Sequence, residues 1–497
     1  MTRKKGTIKK LFQNASRGQA IVMVAIAFVG LIAMVGLLLD GGTLLVEYAR
    51  LKRAVDAASI GAAQQYRKNF TNTDLVNAAT EFLQLNQSDV FNVQADTCQT
   101  SPGDPTLCTT PLRKLVRVTA SRHVTFGFLR IVGINSTDIT ASSVGEAASI
   151  DLIMVVDTSI SMAAATTGDA NTIDPGDDPS VCNINGPGNT TTCQPLADVI
   201  SVAKAFADEL FYPYDRVAVI ALTSQTAGGG RDPVLVWKLQ STGDGPTDQA
   251  NVDSAISSLK VYQPRTCVQP LSSDPNPGPC LNYPDGVDFA GQECPKFRNT
   301  SPNDPTTCNS TNGGAGLIDA GSEFAAPDIE VRKDSFWAVV LILSGTPNSS
   351  SPWAGDGGHP NGYCPDYGSL WTGPLCIQPS MDWQAYPASA DPTRHSNGNA
   401  NYTSLDYARD AADYVTDPTN GQGASIFSIG LGNRVENSST YGGIADPKEA
   451  ETFLKYAALT AGGASANHGN YYYAPDPNNL TAIFDDIYKN ITTRISQ

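Results

Sequence analysis

The stretch Ile150–Met162, IDLIMVVDTSISM, decides the fold. Its first seven residues, Ile150–Val156, are apolar apart from Asp151. A near-continuous apolar run of this length predicts a strand buried on both faces, as in a parallel sheet with helices on each side. The run ends in Asp157-Thr158-Ser159-Ile160-Ser161. This D-x-S-x-S pattern sets one carboxylate and two hydroxyls around one point. Oxygen-only donors suit a hard divalent cation, Mg2+ first, with Ca2+ or Mn2+ as alternatives. Open α/β sheets bind ligands at the carboxyl ends of their strands, so the loop stands where a site is expected.

Outward from this strand, helix-like and strand-like runs alternate. Leu196–Phe211, Val252–Leu259, Gly313–Phe324, Leu405–Val415, Lys448–Ala461 and Leu480–Ile491 read as helices. Val217–Leu222, Val234–Leu239, Phe336–Leu343, Ser425–Leu431 and Tyr471–Ala474 read as strands. Such alternation predicts an α/β fold, a doubly wound and mostly parallel sheet over residues 149–493. Three Gly/Pro/Asn/Asp/Ser-rich insertions interrupt it, at about 163–194, 261–310 and 346–404. Loops that long are functional or need staples.

The cysteines are the staples. Ten of them fall into five close pairs: Cys98/Cys108, Cys182/Cys193, Cys267/Cys280, Cys294/Cys308 and Cys364/Cys376. An even count clipped across loops predicts disulfides and an oxidising compartment. Nearest-neighbour pairing is the simplest connectivity, and spacing alone does not fix it. None of the pairs has C-x-x-C spacing, which argues against zinc thiolates.

Before Ile150 the pattern differs. Ala20–Leu39 is a run of 20 apolar or small residues without charge or proline. At ~1.5 Å rise per residue it matches a hydrocarbon core of ~30 Å. Residues 1–19 form a basic segment, with Arg3, Lys4, Lys5, Lys9, Lys10 and Arg17 and no acid. The positive-inside rule puts that end in the cytoplasm and the body outside. A cleaved signal peptide is the competing reading. Its apolar region would be shorter, ~7–15 residues, and here the helical pattern runs on to Ile60. A retained single-pass anchor in a cytoplasmic membrane is therefore the expectation. Residues 40–147 read as a stalk and small α+β domain. A helix is expected at Thr73–Leu85 and strands at Val90–Val93, Leu115–Val118 and Ile139–Ala147.

Composition narrows the function class. The chain has 497 residues, 16% of them charged, and a net charge of −16. Setting aside the six basic residues of the first 19 leaves −22 on the body. Nucleic-acid binding needs a basic surface, so nucleic acid is not an expected partner. No H-E-x-x-H, G-x-S-x-G, P-loop or dinucleotide fingerprint stands in a supporting context. Neither an enzyme nor a small-molecule substrate is expected. His123, His359, His395 and His468 read as loop or surface histidines. Asp169, Asp174, Asp177 and Asp178 read as a solvated acidic loop, and Trp353, Trp371 and Trp383 as packing against their own disulfide loop.

Two resemblances fit this organisation. IDLIMVVDTSISM, STNGGAGLIDA at Ser310–Ala320, ASIFSIGLGN at Ala424–Asn433 and YYYAPDPNNLTAIFDDIYKNI at Tyr471–Ile491 resemble the von Willebrand factor A (VWA) family. That family has a doubly wound sheet with a metal-ion-dependent adhesion site. The resemblance implies Asp157, Ser159, Ser161 and Thr311 as metal ligands, with an open position for a partner's carboxylate. One element departs: the family's Thr-Asp-Gly after the central strand is Ser344-Gly345-Thr346 here. The alternative is a VWA scaffold with a vestigial site.

The N-terminal RGQAIVMVAIAFVGLIAMVGLLLDGGTLLVEYARLKRAVDAASIGAA is similar to the opening of TadG-like proteins of the tight-adherence (Tad/Flp) pilus machinery, and Val116–Ala147 to the segment that follows. Related pseudopilins carry a glutamate five residues after the processing glycine. After Gly18 that position is Met23, which implies a plain anchor. Together the resemblances imply a membrane-anchored component of Tad/Flp pilus assembly that binds a protein, a pilus subunit or surface ligand, in adhesion. The alternative is a freestanding VWA adhesin or matrix-binding protein.

Overall fold

The computed structural model describes residues 17–163, 166, 193–223, 225, 233–261, 311–329, 331–347, 404–436 and 448–495. The basic residues Arg3–Lys10, nearly all of the three insertions, and the aspartates and tryptophans singled out in them lie outside the described residues. The chain forms two compact units, Met1–Ala147 and Ala148–Gln497.

The first unit is built on one long helix, α1 (Arg17–Gln64). Its N-terminal half is the apolar run. Its C-terminal half is amphipathic and buries Leu51, Ala54, Val55, Ala58, Ala62 and Ala63. Helix α2 (Asn72–Asn86) starts at a capping box. The Thr71 hydroxyl accepts from the Asp74 amide, and the Asp74 carboxylate accepts from the Thr71 amide. Leu75, Ala79 and Leu83 are its buried stripe. Strands β1 (Val90–Asp96), β2 (Lys114–Thr125) and β3 (Ser136–Ala147) form an antiparallel sheet in chain order. The helix crosses β3 closely: a Cβ on Gly145 would meet the Ser59 carbonyl oxygen at 2.2 Å. Cys98 and Cys108 are disulfide-bonded across the loop after β1.

The second unit is a six-stranded sheet between helices. Its strands are β4 (Ile150–Val156), β5 (Arg216–Ala221), β6 (Val234–Trp237), β7 (Phe336–Leu343), β8 (Ser425–Leu431) and β9 (Tyr471–Ala474), in the order β6-β5-β4-β7-β8-β9. All neighbours are parallel except β5 and β6. That edge pair departs from the expected parallel alternation, and hydrophobic period does not encode strand direction. Strand residues alternate between two cores. Leu152, Met154 and Val156 join Val199, Phe206, Ile256, Phe484 and Ile487 on one face. Ile153 and Val155 join Leu317, Phe324, Leu405, Val415, Phe453 and Leu454 on the other. The first face is covered by α3 (Leu196–Asp208), α4 (Gly245–Ser257) and α8 (Leu480–Ile495), the second by α5 (Gly313–Glu323), α6 (Ser404–Thr416) and α7 (Glu449–Leu459). Helices on both faces are what a strand with no polar face requires.

Candidate functional site

The strand order runs outward in both directions from β4 and β7, which lie side by side. In a doubly wound sheet the chain diverges at such a switch point and leaves a crevice above the carboxyl ends. Asp157 follows β4 there, and Ser344 follows β7. The ladder holds both in place: the Asp157 amide donates to the Ile342 carbonyl at 3.0 Å.

Asp157 is wholly buried. Its Oδ1 accepts from the Ser159 amide at 2.9 Å. Its Oδ2 accepts from the Ser344 amide at 3.1 Å and from the Ser344 hydroxyl at 2.8 Å. The remaining hydroxyls close around it. Ser159 Oγ lies 2.8 Å from Ser161 Oγ and 3.2 Å from Thr311 Oγ1, and Ser161 Oγ lies 2.5 Å from Ser344 Oγ. All four residues expected from sequence therefore meet at one place, although Thr311 is 152 positions from Ser159. Among the described residues no cation pairs with Asp157. None of those residues forms a cluster of three His, Cys, Asp or Glu side chains able to hold a metal. The oxygen group at Asp157 is thus a donor set of one carboxylate and several hydroxyls, the kind a hard cation takes.

Residues that sequence reading passed over fix this geometry. Thr158 points away from the group and is pinned: its hydroxyl lies 2.8 Å from that of Thr223, and the Thr223 amide donates to it at 3.1 Å. Gln225 joins the same clamp, donating to the Lys260 carbonyl at 3.0 Å and accepting from the Lys260 amide at 2.8 Å. With the second residue of the loop fixed outward, the first, third and fifth face the crevice. Thr311 is placed by the start of α5, where the Asn312 side chain caps the helix through the Ala315 amide. The glycines that follow let this helix sit close. A Cβ on Gly316 would meet Leu222 Cδ2 at 2.2 Å and Val155 Cγ1 at 3.0 Å, and one on Gly314 would meet the Tyr407 ring at 2.3 Å. Ser344, read from sequence only as part of a departure, proves to be the residue that holds Asp157 Oδ2. Among the described residues nothing lies within 4 Å of a Cβ added at Gly345.

The cysteine and histidine expectations resolve in part. The Cys98–Cys108 bond is present. Cys193 is buried and disulfide-bonded, and its expected partner Cys182 lies outside the described residues. So do Cys267, Cys280, Cys294, Cys308, Cys364 and Cys376. His123 pairs with Asp138 at 2.7 Å on the surface, and His468 lies 3.2 Å from the Ala461 carbonyl.

Comparison with known proteins bears on α1. Residues 18–65 match the family described as "Putative Flp pilus-assembly TadE/G-like". The match covers the apolar run and the amphipathic half that continues from it, so the helix carries a Tad/Flp pilus-assembly family domain. No curated protein matches the chain. Among solved structures the chain is similar to a mutant of the PilB minor pilin from Streptococcus sanguinis, at 11% identity and a TM-score of 0.34, covering 82% of this chain and 80% of that one. It is also similar to the pilus adhesin SpaC from Lactobacillus rhamnosus GG, at 13% identity and a TM-score of 0.35, covering 82% of this chain and 34% of that one. A third is an aerotolerance-related membrane protein from Bacteroides fragilis, at 12% identity and a TM-score of 0.28, covering 69% and 99%.

Proposed function

We propose that the chain is a membrane-anchored, extracytoplasmic component of Tad/Flp pilus assembly, and that its second unit is a VWA domain binding a protein partner. The observation that carries this reading is the Tad-family match at residues 18–65, on a helix whose first half is apolar and exposed. The N-terminus would be cytoplasmic, and α1 would cross the membrane through residues 20–39. The unbroken course of α1 from Arg17 to Gln64 supports a retained anchor, because its later half is core to the first unit.

The partner site is the oxygen group at Asp157. Its donors fit a divalent cation. The Ser159 hydroxyl lies 2.8 Å and 3.2 Å from those of Ser161 and Thr311, so these oxygens are close enough to share one ion. Asp157, Ser159, Ser161 and Thr311 would hold the ion, Mg2+ first and Mn2+ or Ca2+ as alternatives. A bound cation would supply an open position for a carboxylate of the partner. The Thr158–Thr223–Gln225 clamp keeps the loop in register for this, and Ser344 orients the Asp157 carboxylate. The role is recognition, with no catalytic step.

Deleting the gene and restoring it with wild type or Asp157→Ala tests the proposal by counting surface pili and attached cells. The expected result is loss of pili on deletion, rescue by wild type and no rescue by the variant. Full piliation in the deletion strain contradicts the reading, and if attachment alone falls, the freestanding adhesin takes its place.

A further inference from the structure

Between Ile21 and Leu39 every residue of α1 is exposed except Gly36, and the next buried residue is Asp40. Gly36 and Asp40 are one turn apart and share a face. One loop, after β2, covers both. A Cβ on Gly36 would lie 2.8 Å from Cβ and Cγ of Phe128, so the glycine is what lets the loop lie against the apolar helix. The Asp40 carboxylate accepts backbone N–H bonds from Gly127 (2.8 Å), Phe128 (2.9 Å) and Leu129 (2.6 Å). Three amides meet the charge, so this carboxylate does not depend on water. The loop itself is closed. Leu129–Val132 is a single 3-10 turn, ended by Gly133 at φ 91 and by an Ile134 amide donating to the Leu129 carbonyl at 3.1 Å.

The outer side of this loop is apolar. Ile131 is 81% exposed, Val132 72%, Ile134 51% and Phe128 41%. A contiguous apolar surface of this kind on a small unit marks an interaction site. Its position names the occupant. Gly36 lies three residues inside Leu39, ~4.5 Å along the axis at ~1.5 Å per residue. A loop that touches Gly36 and Asp40 sits at the depth where the apolar span ends, and its apolar side chains continue the exposed apolar surface of the helix. Arg130, exposed and without an acidic partner among the described residues, has the long stem that lets a cation reach lipid phosphates.

We propose that the Phe128–Ile134 loop is a second membrane contact, seated in the interface of the bilayer that α1 crosses, with Phe128, Ile131, Val132 and Ile134 against the acyl chains and Arg130 at the phosphates. The proposal rests on the reading of α1 as a membrane span. The Asp40 clamp makes the helix and the loop one rigid wedge. Two contacts instead of one fix the rotation and tilt of α1, which a lone span leaves to its surroundings.

The test uses tryptophan, because all five native tryptophans lie beyond Ala148. Full-length Ile131→Trp and Leu31→Trp are placed in phosphatidylethanolamine/phosphatidylglycerol nanodiscs. Their added emission over wild type is read with doxyl groups near the headgroup or deep in the chains. Both sites are exposed, so folding is not at stake. The expected result is that Ile131→Trp emission is blue-shifted and cut at least twofold by shallow doxyl, while Leu31→Trp is quenched by deep doxyl. Water-like, unquenched emission from Ile131→Trp beside a quenched Leu31→Trp overturns the loop proposal and leaves the span intact. An unquenched Leu31→Trp overturns the span itself. A blue shift at Ile131→Trp without doxyl quenching means that protein covers the loop, which also overturns the proposal.

Discussion

Asp151 and Asp157 stand six residues apart, one near the start of β4 and one just past its end, and neither is exposed to solvent. Asp151 is held by Arg216 through two bonds, 2.9 Å and 2.7 Å, and by Arg332, which also donates to the Tyr214 carbonyl at 2.6 Å. Asp157 has hydroxyls and amides but no cationic side chain among the described residues. Burying an unpaired charge costs several kcal/mol. At the lower end of the sheet the chain supplies the counter-charge itself. At the upper end it supplies oxygens, and under the proposed reading the counter-charge is a cation from solution. Under that reading one carboxylate is structural and the other a site, and their partners separate them.

The largest effect is expected at the structural end. Asp151→Ala strands the buried Arg216 and the half-buried Arg332 guanidinium groups, and should cost ~3–5 kcal/mol by the usual scale for breaking a buried pair. Denaturant unfolding of the detergent-solubilised chain measures this, and adding Mg2+ should not restore it. The next effect belongs to the other end. A ligand at 100 times its dissociation constant stabilises by ~2.7 kcal/mol, so saturating Mg2+ should raise the unfolding free energy of wild type by about that much. It should leave Asp157→Ala unmoved.

Gly345→Asp sharpens the comparison further. Among the described residues nothing lies within 4 Å of the added Cβ, and the change returns a carboxylate to the Asp157 end. Charge count tunes such affinities, and about tenfold tighter binding, ~1.4 kcal/mol, is expected. Competition titration against a metal indicator reads this. The smallest effect is at a carboxylate that is neither buried nor empty-handed. The Thr106 hydroxyl, the Thr106 amide and Arg117 hold the Asp104 carboxyl down at about 2. Because this lies below the ordinary carboxylate value of ~3.9, its contribution is present above pH ~4 and lost as pH falls through about 2. Asp104→Asn should therefore be less stable than wild type at neutral pH, with the gap closing toward pH 2 in circular dichroism melts.

Much of this frame was legible in the sequence. Ile150–Val156, Phe336–Leu343, Ser425–Leu431 and Tyr471–Ala474 are strands with those bounds; the first three are apolar runs too short for a helix, and Tyr471–Ala474 is a half-buried edge strand marked by its aromatic residues. The Cys98/Cys108 pair was legible from proximity. The antiparallel edge strand was not, since period says nothing of direction. The Ser344 hydroxyl was not, because its partner Asp157 is 187 positions away. The Thr158 clamp and the Asp40 amide cradle were hidden for the same reason: each joins segments that only the fold brings together, Asp40 reaching 87 to 89 positions along the chain.

Whether Asp157 takes a cation decides between a working site and a purely structural carboxylate. Isothermal titration of the detergent-solubilised, EDTA-treated chain with Mg2+ or Mn2+ measures it, with Asp157→Ala beside it. The prediction is saturable heat at one site in wild type and none in the variant. Flat traces from both, or equal heat from both, would contradict it.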